Sequence, residues 1–193
     1  MIIIFSNSGK RRCNDGKRTR LASTRLLLLV AALGLARGQA ADWPHFLGPT
    51  SDGISTETGL LSAWPSGGPK VLWKKQIGTG YSAPAIRDGR LVLFHRVKNQ
   101  EIVQAFDVKT LKPLWQHSYP TRYRDPFGYN NGPRCSPLLT EKHCFTYGAE
   151  GVLHCLDVKT GKPVWQRKTS EEFQIPEAFF GVGASPVLSL IHI

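Results

Sequence analysis

The chain reads "AFDVKTLKPLWQ" from Ala105 to Gln116 and then "CLDVKTGKPVWQ" from Cys155 to Gln166, with eight of twelve positions identical at an offset of 50 residues. Self-similarity at such a period marks one supersecondary unit that is stacked on copies of itself. Each copy reads as strand, turn, strand. Asp107 and Asp157 are placed to accept hydrogen bonds from the turn that follows them, and Gly161 is free to take a positive φ. The first copy has Leu111 at the glycine position. A left-handed leucine costs about 1 kcal/mol or more, so this turn is expected to differ locally. Pro113 and Pro163 cannot donate to a ladder, which assigns the strands they open to a sheet edge. Trp115 and Trp165 are flat, bulky side chains that a stack of sheets would bury between neighbours.

Short β-rich segments surround each copy: "RLVLF" (90–94), "EIVQAF" (101–106), "HCFTY" (143–147) and "GVLHCL" (151–156), separated by turn residues. The elements "YSAP", "RCSP" and "GASP", ending at Pro84, Pro137 and Pro186, precede successive units. The expected fold class is therefore all-β, built from antiparallel four-stranded sheets of about 50 residues each, the size of one propeller blade.

The repeated phrase resembles the tryptophan-docking motif of the quinoprotein-type (PQQ-like) β-propellers, A-x-D-x-x-T-G-K-x-x-W. Ala105, Asp107, Thr110, Lys112 and Trp115 match it, as do Asp157, Thr160, Gly161, Lys162 and Trp165; Leu111 and Cys155 depart from it. The stretch "DWPHFLGPTSDGIS" (42–55) also resembles the mature N-terminus of secreted proteins with this propeller. The resemblance implies a β-propeller in which residues 71–188 supply about two to three blades of a ring of about seven or eight. Residues 41–70 form an extended segment ahead of it, and Trp73 is a third docking-like tryptophan. The closing "LSLIHI" (188–193) matches a translated frame of a common sequencing adapter and is expected to be an artefact. A fragment of such a ring, residues 41–188 alone, is expected to be poorly stable.

The net charge of +11 at first suggests nucleic acid, but eight of the 25 Lys and Arg fall in residues 1–40 against Asp15 alone. The remainder carries 17 basic and 13 acidic residues with no basic run interleaved with aromatics, so no nucleic-acid partner is expected. Residues 1–40 read as a signal peptide: basic residues, the eleven-residue apolar run "LLLLVAALGLA" (26–36), then small residues at Gly38 and Ala40. The run is too short to span a membrane, and a periplasmic or secreted location is expected.

Export makes the cysteines informative. Cys135, Cys144 and Cys155 follow the presequence, an odd number. If "GAEG" is the hairpin turn, Cys144 and Cys155 face each other across it, leaving two outcomes open: a disulfide, or two thiols packed as small apolar residues. Adjacent residues on a strand point to opposite faces, so His143–Cys144 and His154–Cys155 do not form a zinc set, and no metal site is assigned.

The loop from Trp115 to Pro137 is long and concentrates Arg122, Tyr123, Arg124, Asp125, Tyr129, Asn130 and Arg134. Long loops on a rigid scaffold often carry function. Arg122, Tyr123, Arg124, Tyr129, Asn130 and Arg134 are therefore the ligand-binding candidates, suited to an anion, a glycan or a peptide; a solvated loop packing its aromatics on the blade below is the competing account. Asp107, Trp115, Asp157, Gly161 and Trp165 are structural. No catalytic residue is assigned, because no nucleophile–base pair, carboxylate pair or phosphate-cradling loop stands out. The resemblance implies three functions: a binding or assembly scaffold with a protein or glycan partner, similar in role to the propeller lipoprotein of outer-membrane protein assembly; a dehydrogenase using PQQ and calcium, whose cofactor residues would lie in further blades; or a polysaccharide-binding propeller. An adjacent Cys–Cys pair would favour the second, and exposed aromatic platforms the third.

Overall fold

The computed structural model describes residues 41–174 and 180–189. The signal-peptide reading of residues 1–40 and most of the adapter-like tail lie outside those residues. The chain divides into two compact units. Among the described residues of the first, Ala41 and 57–75, there is no helix or strand. The second, 42–56 and 76–193, holds the described strands and helical turn.

Eight strands form two four-stranded antiparallel sheets, each in sequence order. The first is β1 (Ala85–Arg87), β2 (Arg90–Val97), β3 (Gln100–Asp107) and β4 (Pro113–Pro120). The second is β5 (Leu138–Leu139), β6 (His143–Tyr147), β7 (Val152–Asp157) and β8 (Pro163–Lys168), followed by one helical turn, α1 (Thr169–Glu172). The strands fall where β-branched and aromatic residues alternate, and the proline-led strands β4 and β8 sit at the edges as a missing N–H requires. Both sheets slip register at the same place, between Ala105 and Phe106 and between Cys155 and Leu156. A bulge opposite the proline removes the ladder bond that Pro113 and Pro163 are unable to make.

The two turns are superimposable in their bonding. Asp107 Oδ1 accepts from Lys109 N at 3.1 Å, Thr110 N at 2.8 Å and Thr110 Oγ1 at 2.7 Å. Asp157 Oδ1 repeats those distances with Lys159 and Thr160. The threonine bonds, first among the causes, hold both carboxyls below the ordinary aspartate range. Leu111 has φ +54° and Gly161 φ +70°. The local difference expected at the leucine is absent: the Asp107 turn outweighs the steric penalty, and Leu111 is held left-handed.

Residues of one parity on β3 and β4 (Val103, Ala105, Trp115) face Leu139, Cys144 and Leu156 on the second sheet, forming the core with Val92 and Phe94. Trp115 donates its indole N–H to Val158 O at 2.9 Å. Its ring lies over Gly161, where an added Cβ would sit 2.4 Å from Trp115 Cε3. Only glycine fits beneath it.

The cysteines are one residue out of the expected register. Cys144 stands opposite Leu156 and Cys155 opposite Phe145, so the two side chains leave the hairpin on opposite faces. Cys135, Cys144 and Cys155 are free, buried thiols. Burial pushes the Cys135 thiol up to about 12 and raises those of Cys144 and Cys155 as well, so all three pack as protonated, apolar groups.

Candidate functional site

Beyond β4 the chain alternates. Thr121, Tyr123 and Asp125 are buried, whereas Arg122, Arg124 and Pro126 are exposed. The buried set anchors the loop. Thr121 N bonds Asn99 O at 3.0 Å, and Thr121 Oγ1 and the Arg122 amide both bond Glu150 Oε2, at 2.8 and 3.0 Å. Arg96, buried at the end of β2, donates through Nη1 to Tyr123 O at 2.6 Å and Asn131 O at 2.8 Å, and through Nε to Lys98 O at 2.6 Å. A guanidinium thus replaces the ladder that an irregular loop lacks.

Asp125 organises the tip. Its carboxylate accepts from the amides of Phe127 at 2.9 Å and Asn130 at 3.2 Å and pairs with Arg134 Nη2 at 3.1 Å. Burial alone would raise its pKa, but the two amides and the arginine outweigh burial and hold the carboxyl below its ordinary value. Arg134 also donates to Gly132 O, Asn130 O and Tyr123 Oη, and its guanidinium lies 4.8 Å from the Tyr123 ring centroid. Tyr123 is 4% exposed. Asn130 Oδ1 caps the Gly132 amide at 2.8 Å. Tyr123, Asn130 and Arg134, three of the six candidates, are therefore engaged in holding the loop.

The other three point outward. Arg122 and Arg124 are exposed, and Tyr129 is 72% exposed. Tyr129 stacks on Phe127, which is 47% exposed, with centroids 6.0 Å apart and an interplanar angle of 19°. Phe127 also meets Phe180 at 5.8 Å, and Tyr81, another exposed ring, lies 5.8 Å from the Arg134 guanidinium. Phe127, Phe180 and Tyr81 escaped the sequence reading. Phe127 carried a signal in its proximity to Tyr129, but Tyr81 and Phe180 reach the loop only through the fold.

A second polar group lies between the sheets and was also unforeseen. Glu101 is buried at the end of the inner face of β3 and accepts from Ala149 N at 3.1 Å. Tyr119 packs on His154 with centroids 4.3 Å apart, and His117 lies 5.1 Å from His154. Gly148 makes room for this group: a Cβ there would lie 2.3 Å from Glu101 Oε2 and 2.6 Å from Tyr119 Oη. Burial raises the Glu101 pKa, and burial with the Glu101 charge raises that of Tyr119. Burial lowers the His154 pKa to about 4 and that of His117 in the same direction. His117 Nε2, Thr146 Oγ1 and His154 Nδ1 are buried without a hydrogen-bond partner. Glu101 and Tyr119 of the first sheet pack against Gly148 and Ala149 after β6, so this group is a joint between sheets.

An open cleft of about 620 Å³ is lined by residues from both sheets, among them Pro44, His45, Arg87, Leu139, Phe145 and Val187. Its lining also includes Ser51, Glu141, Lys142 and His143. Among the described residues no group of three or more His, Cys, Asp or Glu could hold a metal ion, and the chain has no adjacent Cys–Cys pair. The residues described do not fit the PQQ-and-calcium set that the sequence resemblance implies for the dehydrogenases. No described helix is long and apolar enough to cross a membrane.

No protein-family model matches the chain, and no curated protein matches it in sequence. Among solved structures it is similar to quinohemoprotein alcohol dehydrogenase from Comamonas testosteroni, at 23% identity over 47% of this chain and 13% of that one, with a TM-score of 0.35. It is similar to a europium-containing methanol dehydrogenase at 22% identity over 44% and 14%, with a TM-score of 0.33. BamB from Moraxella catarrhalis matches at 19% identity over 52% and 41%, with a TM-score of 0.28. The matched parts span 13%, 14% and 41% of those chains. The all-β assignment stands on the two antiparallel four-stranded sheets themselves.

Proposed function

We propose that the protein is an exported binding or assembly scaffold of the PQQ-like β-propeller type, whose two sheets are successive blades and whose working surface is the 121–136 loop. The observation that carries this reading is the division of labour in that loop. Buried Arg96 and Asp125, with half-buried Arg134, fix its backbone, while Arg122, Arg124, Phe127 and Tyr129 are held out toward solvent. A loop backbone fixed in this way suits recognition, because less of its freedom remains to be lost on binding. Indole packing of Trp115 on the next turn supports the blade assignment, and the basic-then-apolar N-terminal stretch supports export to the periplasm or beyond.

A photo-crosslinking amino acid placed at position 129 of the full chain, and in parallel at Lys109 on the distant turn, tests the reading in an exporting cell. Adducts of one defined mass from position 129, and none from 109, are expected. Alcohol-dependent dye reduction by the full chain loaded with PQQ and calcium would replace the scaffold reading with the dehydrogenase one.

A further inference from the structure

We infer that the outer face of the 121–130 loop is a docking site for an extended, acidic protein segment that also carries apolar side chains. The inference rests on the scaffold reading and names the partner chemistry of the same surface.

Three observations lead there. The main chain of the loop already has partners: the amides of Thr121, Arg122, Asp125, Phe127, Asn130 and Gly132 all bond inward. Most of the segment's amides are therefore committed, and recognition falls chiefly to side chains. Secondly, the buried–exposed alternation over 121–126 places Arg122 and Arg124 on one side of an extended run. Residues two apart in extended chain are separated by about 6.6 Å, which is also the spacing of alternate side chains in an extended partner. A peptide with carboxylates at alternate positions can meet both guanidinium forks, each a planar donor shaped for a carboxylate. Thirdly, the Phe127–Tyr129 stack follows within the next residues and offers an apolar surface beside the two charges. Aromatics next to arginine at a rigid surface are the composition of protein-binding hot spots.

The charges in the neighbourhood agree. Glu150 is engaged by Thr121 and the Arg122 amide, and Asp125 by Arg134. The exposed charged side chains of the 121–130 run are Arg122 and Arg124, both positive. An acidic segment is attracted and a basic one repelled.

Panning a phage-displayed random peptide library against the immobilised full chain tests this, with Arg122→Ser/Arg124→Ser and Tyr129→Ala variants and a polyuronate oligosaccharide in parallel. The altered residues are exposed, so wild-type and variant melting curves should coincide. Enriched peptides are expected to combine Asp or Glu with Phe, Tyr or Leu. Their affinity should fall at least about tenfold in each variant and weaken with added salt. Enrichment of peptides without acidic residues, or binding that survives both variants, overturns the proposal. Polyuronate binding that the variants abolish, with no peptide enriched, overturns the peptide class and leaves the scaffold reading standing. If neither probe binds, both readings of this face fail.

Discussion

The two sheets are near-copies that sit in different company. Trp115 on β4 is 9% exposed, with its N–H bonded to Val158 O and its ring over Gly161; Trp165 on β8 is 41% exposed, and every residue of β8 is exposed. The same residue in the same local frame is core in one case and surface in the other. What distinguishes them is the neighbour: the first tryptophan has a second sheet to cover it, and the second has none among the described residues. The phrase therefore encodes one edge of a four-stranded sheet locally, while its stability depends on the sheet beside it.

The largest expected effect breaks this comparison directly. Trp115→Ala should destabilise by about 3–5 kcal/mol, because it removes a buried ring and a bonded indole N–H, whereas Trp165→Ala should cost about 1 kcal/mol or less. Urea melts of the two variants read the difference, and equal losses would show that the sheets do not depend on the docked ring. Next in size, Gly161→Ala should cost about 2–3 kcal/mol, since it adds a Cβ against Trp115 to a left-handed residue. The same melt on Gly161→Ala in a Trp115→Ala background should show only the backbone part, and full additivity would remove the steric account.

The sheet-to-sheet joint makes a pH prediction. His154 titrates near 4 in the fold against 6.5 when unperturbed, so its contribution is fully present above about pH 6.5 and is lost as pH falls toward 4. Glu101 works in the opposite sense: its raised pKa gives a contribution present below the ordinary carboxylate range and lost as pH rises through the raised value. Stability should fall on the order of 2 kcal/mol between pH 6.5 and 4, and His154→Gln should flatten that limb. An unchanged slope in His154→Gln would assign the acid limb to other groups. The smallest effect sharpens the turn comparison. Leu111→Gly should stabilise by about 0.5–1 kcal/mol by releasing left-handed strain, and a loss would mean that the leucine side chain contributes more packing than its backbone conformation costs.

Much of the fold was legible because the repeat carries it. Alternation placed β2, β3, β6 and β7, the prolines placed the edges, and Asp107 and Asp157 marked the turns. The reading failed where a single register step mattered. Cys144 and Cys155 were assigned to one face, and a one-residue offset in the hairpin sends them to two. It also failed at Leu111, where three bonds to Asp107 hold a conformation that side-chain preference alone argues against. Half of the candidate loop residues, Tyr123, Asn130 and Arg134, turned inward, because composition reports which groups a loop has and not which way they face. The Glu101 joint was hidden for another reason. Glu101 shares parity with Val103 and Ala105, but a glutamate beside a hairpin reads as surface until a second sheet covers it.

The fit of Trp115 over Gly161 has a consequence for how such a chain can change. The ring belongs to one repeat and the residue it forbids to the next, so each repeat restricts the alphabet of its successor and not its own. A side chain can be gained at position 161 only after the ring at 115 is given up. The array thus has a direction of dependence, and substitutions should be tolerated in an order set by which repeat lies downstream.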